Sequence, residues 1–131
     1  NIFGRRSHIN GINDKNYNIR NFQERAAINA PIQGSASEVM RLAMIRLNKK
    51  FIDLKDLKSK MLLQIHDELI FETSKKESKT VMQTIKDAMS NVSKSKHHIF
   101  SIPLLVNINS ANNWGDVHWL SYTGIAQIMT I

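Results

Sequence analysis

Residues 61–73 read Met61-Leu62-Leu63-Gln64-Ile65-His66-Asp67-Glu68-Leu69-Ile70-Phe71-Glu72-Thr73. Residues 61–65 and 69–73 are short apolar runs rich in strand formers, and only His66, Asp67 and Glu68 separate them. That pattern predicts a β-hairpin with an acidic tip. The runs are nearly all apolar, which predicts that both faces of the hairpin are covered. Carboxylates beside apolar strands are costly unless they are hydrated or paired. A hard divalent cation offsets that cost, because Mg²⁺ takes one or two carboxylates together with substrate phosphates. Neighbours in extended chain point to opposite faces, so Asp67 and Glu68 reach one ion only if the turn twists them together. A plain solvated turn accounts for the same residues, since Asp is common in turns.

Working outward, Ser74-Lys75-Lys76-Glu77 has the form of a capping box. It predicts a helix with Val81, Ile85, Ala88, Met89 and Val92 on one face. Farther on, Ile102, Leu104, Val106 and Ile108 alternate with Pro103, Leu105, Asn107 and Asn109, as a half-buried strand would, with Pro103 at its start or at a sheet edge. Upstream, residues 53–60 form a charged connector. Before it, Ile28, Ile32, Ala36, Val39, Ala43 and Leu47 recur every three or four residues, which predicts helix over 22–52 with one apolar stripe. Pro31, and Gly34 followed by a second box, Ser35 to Glu38, allow either one kinked helix or two. The stripe stays in phase through the break, which favours the kink. Residues 1–21, with Gly4, Gly11 and the asparagines Asn10, Asn13, Asn16, Asn18 and Asn21, are expected to be irregular. The fold class expected is α+β, with helices packed on an antiparallel hairpin sheet.

The chain has 131 residues, 42% of them hydrophobic, which suits one small domain. Its net charge of +7 is confined to residues 1–60, where 12 basic side chains face 5 acidic ones; residues 61–131 hold 6 of each. A polyanionic partner contacted through the first half is expected. There is no cysteine, so disulfide frameworks and thiolate zinc sites are excluded. No apolar run approaches a membrane span, and no membrane partner is expected. The chain opens on Asn1 rather than Met, so a piece of something longer is expected. His97 and His98 are adjacent, with no carboxylate nearby in sequence, and receive no metal.

Gln64–Glu72 resembles motif C of the family A DNA polymerases, the bacterial DNA polymerase I type, whose pattern is Q-V-H-D-E-L-V-F-E. Glu24 to Glu38, Glu-Arg-Ala-Ala-Ile-Asn-Ala-Pro-Ile-Gln-Gly-Ser-Ala-Ser-Glu, resembles that family's E-R-A-A-I-N-A-P-x-Q-G-T-A-A-D helix. Phe3-Gly4-Arg5-Arg6 resembles its F-G-R-R. Pro103 to Val106, followed by Asn113-Trp114, resembles its closing strand. The four blocks keep the family's order and spacing.

The resemblance implies that residues 1–118 are the C-terminal palm portion of a DNA-directed DNA polymerase. It implies two-metal catalysis, with Asp67 as catalytic and as a ligand of the two Mg²⁺ ions, Glu68 as a nearby catalytic helper at the same metals, and His66 near the primer terminus. Arg25, Asn29 and Gln33 fall four and four apart, hence on one helix face. The resemblance sets this row against the minor groove of a template–primer duplex. Groove acceptors occur at every base pair, so a row of donors there checks pair shape without reading sequence. Arg5 and Arg6, with Lys15 and Arg20, are expected to neutralise phosphates. Deoxynucleoside triphosphates and the remainder of a polymerase chain are the other implied partners. The setting implied is bacterial cytoplasm, or an organelle if the source is eukaryotic.

The family's upstream palm aspartate and its fingers helix have no counterpart in these residues. The isolated chain is therefore expected not to extend primers. The rival reading is a duplex-binding remnant without chemistry, and a third is a partner protein with no nucleic-acid role. Residues 119–131 lie past the family pattern. They either pack on the rest of the chain, contact another chain, or are translated sequence beyond a damaged stop.

Overall fold

The computed structural model describes residues 1–94, 100–101, 103–119 and 126–130. The histidine pair at 97 and 98, Ile102 and residues 120–125 lie outside the described residues. The chain divides into two compact units, Asn1–Arg41 and Leu42–Ile131.

In the first unit, residues 1–16 are irregular and turn at Gly4 and Gly11, both at positive φ. Helix α1 (Tyr17–Asp53) then begins, earlier than periodicity alone suggested. Its N-terminal cap is Asn16, whose Oδ1 accepts the Asn18 N–H at 2.9 Å. That satisfies one of the four donors every helix leaves open at its start. Asp14 caps Asn16 in turn, at 2.8 Å. Asparagine serves turns and helix caps alike, so residues 17–21 looked irregular from composition.

One helix runs through Pro31, not two. The second capping box does not form, because its groups are engaged elsewhere. Ser35 Oγ donates back to the Pro31 carbonyl at 2.5 Å and accepts the Ile2 N–H at 3.2 Å. Glu38 turns to Arg41 and Arg5 instead of to its own helix start. The apolar stripe is only half used. Ala43 and Leu47 are buried, yet Ile28 is 74% and Ile32 67% exposed, and Ala36 is exposed too. Periodicity establishes that a helix has an apolar face, not that the same chain supplies its cover.

The second unit holds a four-stranded sheet. Strands β1 (Lys60–Ile65) and β2 (Glu68–Thr73) form the expected antiparallel hairpin. Helix α2 (Ser78–Ser90) follows, then a 3-10 turn at Asn91–Ser93, strand β3 (Ile108–Ala111), helix α3 (Trp114–Trp119) and strand β4 (Ala126–Thr130). The spatial order is β1-β2-β4-β3, and β4 runs parallel to both β2 and β3. The fold is α+β as expected, but its sheet is mixed, not purely antiparallel.

Three further expectations are corrected here. β1 is an edge strand, and its faces are not both covered: Leu62 and Leu63 are 45% and 49% exposed. The ladder shifts register between Met61 and Leu63, so Leu62 is an extra residue in a bulge, a usual device at sheet edges. The pairing of β3 begins at Ile108. Residues 103–107 alternate in exposure as a half-buried strand does, but join no ladder. The box at Ser74 is also unformed. The Ser74 carbonyl accepts the N–H groups of Glu77 and Ser78, each at 3.0 Å, and the helix starts at Ser78. Glu77 accepts from Ser59 Oγ at 2.7 Å and from the Lys58 N–H at 3.3 Å instead. Those two bonds, the Ser59 one foremost, hold its carboxyl below its ordinary value of 4.5.

The core of this unit lies around β2. Leu69, Ile70, Phe71 and Thr73 are buried, with Val81, Ile85, Ala88 and Met89 of α2, Val92, and Ile128 of β4. Phe51, near the end of α1, meets Phe71 edge-on with centroids 5.9 Å apart. Beneath them Ser59 and Thr73 share a buried hydroxyl bond of 2.7 Å. No described helix is long and apolar enough to cross a membrane.

Candidate active site

The hairpin closes more tightly than three intervening residues imply. Ile65 pairs directly with Glu68, which leaves His66 and Asp67 as a two-residue turn. His66 has φ of 52°, the positive value that primed hairpin turns require at their first central residue. Glycine or asparagine usually occupies such a position; histidine tolerates it better than a β-branched residue. Gln64 Nε2 donates to the His66 carbonyl at 3.2 Å and braces the turn from within the strand.

This geometry gives the two acids different surroundings. Asp67 is exposed at the apex. Glu68 is half-buried as the first residue of β2 and is itself engaged in an interaction. Immediately behind it, Leu69 has no exposed surface. The acidic apex is therefore carried on a strand anchored in the core. Oxygen donors of this kind suit Mg²⁺. Among the described residues no three His, Cys, Asp or Glu side chains lie close enough together to hold an ion. Asp67 and Glu68 put two carboxylates at this end of the hairpin, and an ion held there would take its remaining coordination from water or phosphate.

The other candidates lie in the first unit. Arg25, Asn29 and Gln33 are all exposed along one face of α1, as their spacing requires. Arg5 and Arg6 are exposed and line a groove of about 530 Å³ with His8, Ala27, Ala30 and Pro31. Arg5 also pairs with Glu38 at 3.2 Å. A hydrogen bond from Arg41, then the charges of Arg41 and Arg5, hold the Glu38 carboxyl below its ordinary value against the opposing effect of desolvation. Arg20 is engaged within its own segment, where it lies over the Tyr17 ring at 5.8 Å and donates to the Asp14 carbonyl at 3.2 Å.

Sequence reading overlooked two supports of this arrangement. Glu38 steadies Arg5, and Asn1 ties the same segment to α1. Asn1 Nδ2 donates to the Gly34 carbonyl at 2.9 Å, while its Oδ1 accepts the N–H groups of Phe3 at 3.1 Å and Arg5 at 2.9 Å. Nothing local in the sequence announces a contact spanning 33 residues.

The family model for DNA polymerase family A matches residues 1–116. A DNA polymerase I of Rhizobium leguminosarum is 43% identical over 119 residues, covering 89% of this chain and 12% of that protein. A DNA polymerase I of Bacillus subtilis is 39% identical over 115 residues, covering 88% and 12%. Among solved structures, the POL domain of Pol1 from M. smegmatis, in complex with DNA primer-template and dNTP, matches with a TM-score of 0.71 and 38% identity. That match covers 79% of this chain and 17% of that one. The chain thus spans about 12% of the length of these curated relatives.

Proposed function

This chain belongs to DNA polymerase family A, and from that premise we propose that residues 1–118 form the C-terminal palm portion of a DNA-directed DNA polymerase. In this reading it acts with the remainder of a polymerase chain on template–primer DNA and deoxynucleoside triphosphates. The observation that carries it is the hairpin apex: Asp67 stands exposed on a two-residue turn whose second strand is rooted in the core.

Asp67 and Glu68 would hold Mg²⁺. The ion would lower the cost of deprotonating the primer 3′-hydroxyl and of the negative charge on the departing pyrophosphate. The chain's own residues position and bind. The anchored β2 strand fixes the apex carboxylate, because moving it means disturbing Leu69 and Phe71. Glu68 is half-buried and opens the same strand. His66, at the apex with φ of 52°, would approach the primer terminus. Arg5 and Arg6 supply charge for phosphates. The exposed row of Arg25, Asn29 and Gln33 supplies donors for groove acceptors present at every base pair. By itself the 131-residue chain is expected to bind duplex DNA weakly and not to extend primers.

The test is transplantation. Residues 1–116 replace the matching segment of Bacillus subtilis DNA polymerase I, and the chimera is assayed for primer extension. Extension supports the reading. A folded chimera that binds template–primer yet does not extend it contradicts the catalytic part and favours a binding module without chemistry. In the same chimera, Arg25→Ala is expected to weaken duplex binding about tenfold, from about 1.5 kcal/mol for a hydrogen bond made by a charged donor. The loss should be equal on unrelated sequences when followed by fluorescence anisotropy. A loss that depends on base identity contradicts groove reading.

A further inference from the structure

Among the described residues Glu38 is the only charged side chain that is buried, and it holds two arginines where one would neutralise it. Arg5 Nη2 lies 3.2 Å from its Oε2. Arg41 Nε donates to its Oε1 at 3.1 Å, and Arg41 Nη2 donates to the same oxygen. One carboxylate thus fixes two guanidinium groups side by side, one on each oxygen. Its own side chain keeps 11% exposure, whereas those of Arg5 and Arg41 keep 63% and 57%. A lone buried carboxylate is costly, so the first cation is needed for the fold and the second is surplus. Glu38 engages one N–H group of Arg5 and two of Arg41, fewer than a guanidinium carries. Paired guanidinium forks with donors to spare suit the oxygens of a phosphate.

The cluster does not lie on the side of α1 that carries Arg25, Asn29 and Gln33. At about 3.6 residues per turn, Glu38 falls roughly 150° round the helix from the middle of that row, and so do Ala27, Ala30 and Pro31 of the Arg5–Arg6 groove, taken together. Asn1 bonds the Gly34 carbonyl on the same far side. A helix with its side chains is about 10 Å across, so the body of α1 separates the two arginines from a duplex resting on the row. We propose that Arg5 and Arg41, set by Glu38, form a second phosphate-binding site on the far side of α1. Its ligand is a phosphate group, borne by a nucleic-acid strand or free as pyrophosphate. Arg5 also lines the groove of about 530 Å³ with Arg6 and His8, so a strand held by one phosphate at the cluster has a basic path to follow. Glu38 is a positioning residue, which touches no ligand and fixes the two forks that do. The site goes beyond the polymerase reading and stands or falls without it.

The sign of one substitution separates positioning from plain charge. Glu38→Gln removes a negative charge, so arginines acting only as point charges would bind phosphate more tightly in the variant. With Glu38 fixing them, the variant is expected to bind at least about threefold more weakly, because the forks lose their preorganisation. The probes are pyrophosphate and an oligothymidylate of about eight residues, titrated calorimetrically into the 131-residue chain at low salt. Tighter binding of the oligonucleotide assigns a strand as the ligand, and tighter binding of pyrophosphate assigns the free anion. Arg5→Ala and Arg41→Ala are each expected to weaken the preferred probe at least about tenfold. Arg41→Lys keeps the charge and loses the fork, so most of that loss should persist. It leaves the buried carboxylate paired with Arg5 and gives a reading independent of Glu38→Gln. Lys86→Ala removes one exposed positive charge elsewhere and is expected to cost less than about twofold. Unchanged or tighter binding by Glu38→Gln overturns the positioning role. Equal losses from Arg41→Ala and Lys86→Ala, or no binding of either probe, overturn the site.

Discussion

Asp67→Asn, placed in a complete family A polymerase through the chimera, is expected to lower turnover by roughly 10³- to 10⁴-fold while leaving duplex affinity within a few-fold. Metal-assisted stabilisation of a phosphoryl-transfer transition state is worth several kcal/mol, and each 1.36 kcal/mol is about a factor of ten in rate. Asparagine keeps the size of the side chain and its preference for turns, so the hairpin persists and only the charge is lost. Rates from single-turnover extension and affinities from anisotropy separate the two effects. Comparable losses in both would mean that Asp67 supports the fold or the DNA contact and not the chemistry.

The second large effect belongs to the scaffold. Phe71→Ala is expected to destabilise the unit Leu42–Ile131 by about 3–5 kcal/mol, the usual cost of emptying a large aromatic site in a packed interior. Phe71 is wholly buried, meets Phe51 edge-on, and sits on the strand that roots the acidic apex. A small domain has only about 5–15 kcal/mol in total, so the variant should be close to unfolding at ordinary temperature. Urea denaturation followed by circular dichroism measures the loss. A cost below about 1 kcal/mol would show that the β2 core is loosely packed and cannot fix the apex carboxylate.

The hairpin and α2 were legible because their signals are local. Strand formers flank a polar tip in one, and a helical-period apolar stripe from Val81 to Val92 marks the other. Features decided by distant chain were not. The apolarity of Leu62 and Leu63 suggested cover on both faces, but edge position and a bulge are set by what lies beside a strand. Ser74 and Glu77 had the spacing of a cap, yet Ser59, eighteen residues upstream of Glu77, offered the carboxylate a better partner. Asn16 was visible as a cap or a turn residue, and only the helix behind it decides which. β4 was illegible for the same reason. Ile128 and Met129 are apolar, but so short a run does not by itself announce a strand, and theirs pairs with β2 on one side and β3 on the other. Of the candidate site, the exposed place of Asp67 at the hairpin tip was legible, while the two-residue length of the turn was not.

The most direct test of the central claim, that the β1–β2 apex is the metal-bearing corner, is Mn²⁺-induced relaxation of the backbone amide signals of the 131-residue chain. The account predicts that Asp67 and Glu68 broaden at the lowest Mn²⁺ concentration and that Asp67→Asn abolishes this while the rest of the spectrum persists. Broadening that begins equally at Asp53, Asp56 and Asp87, or that survives Asp67→Asn unchanged, would contradict it.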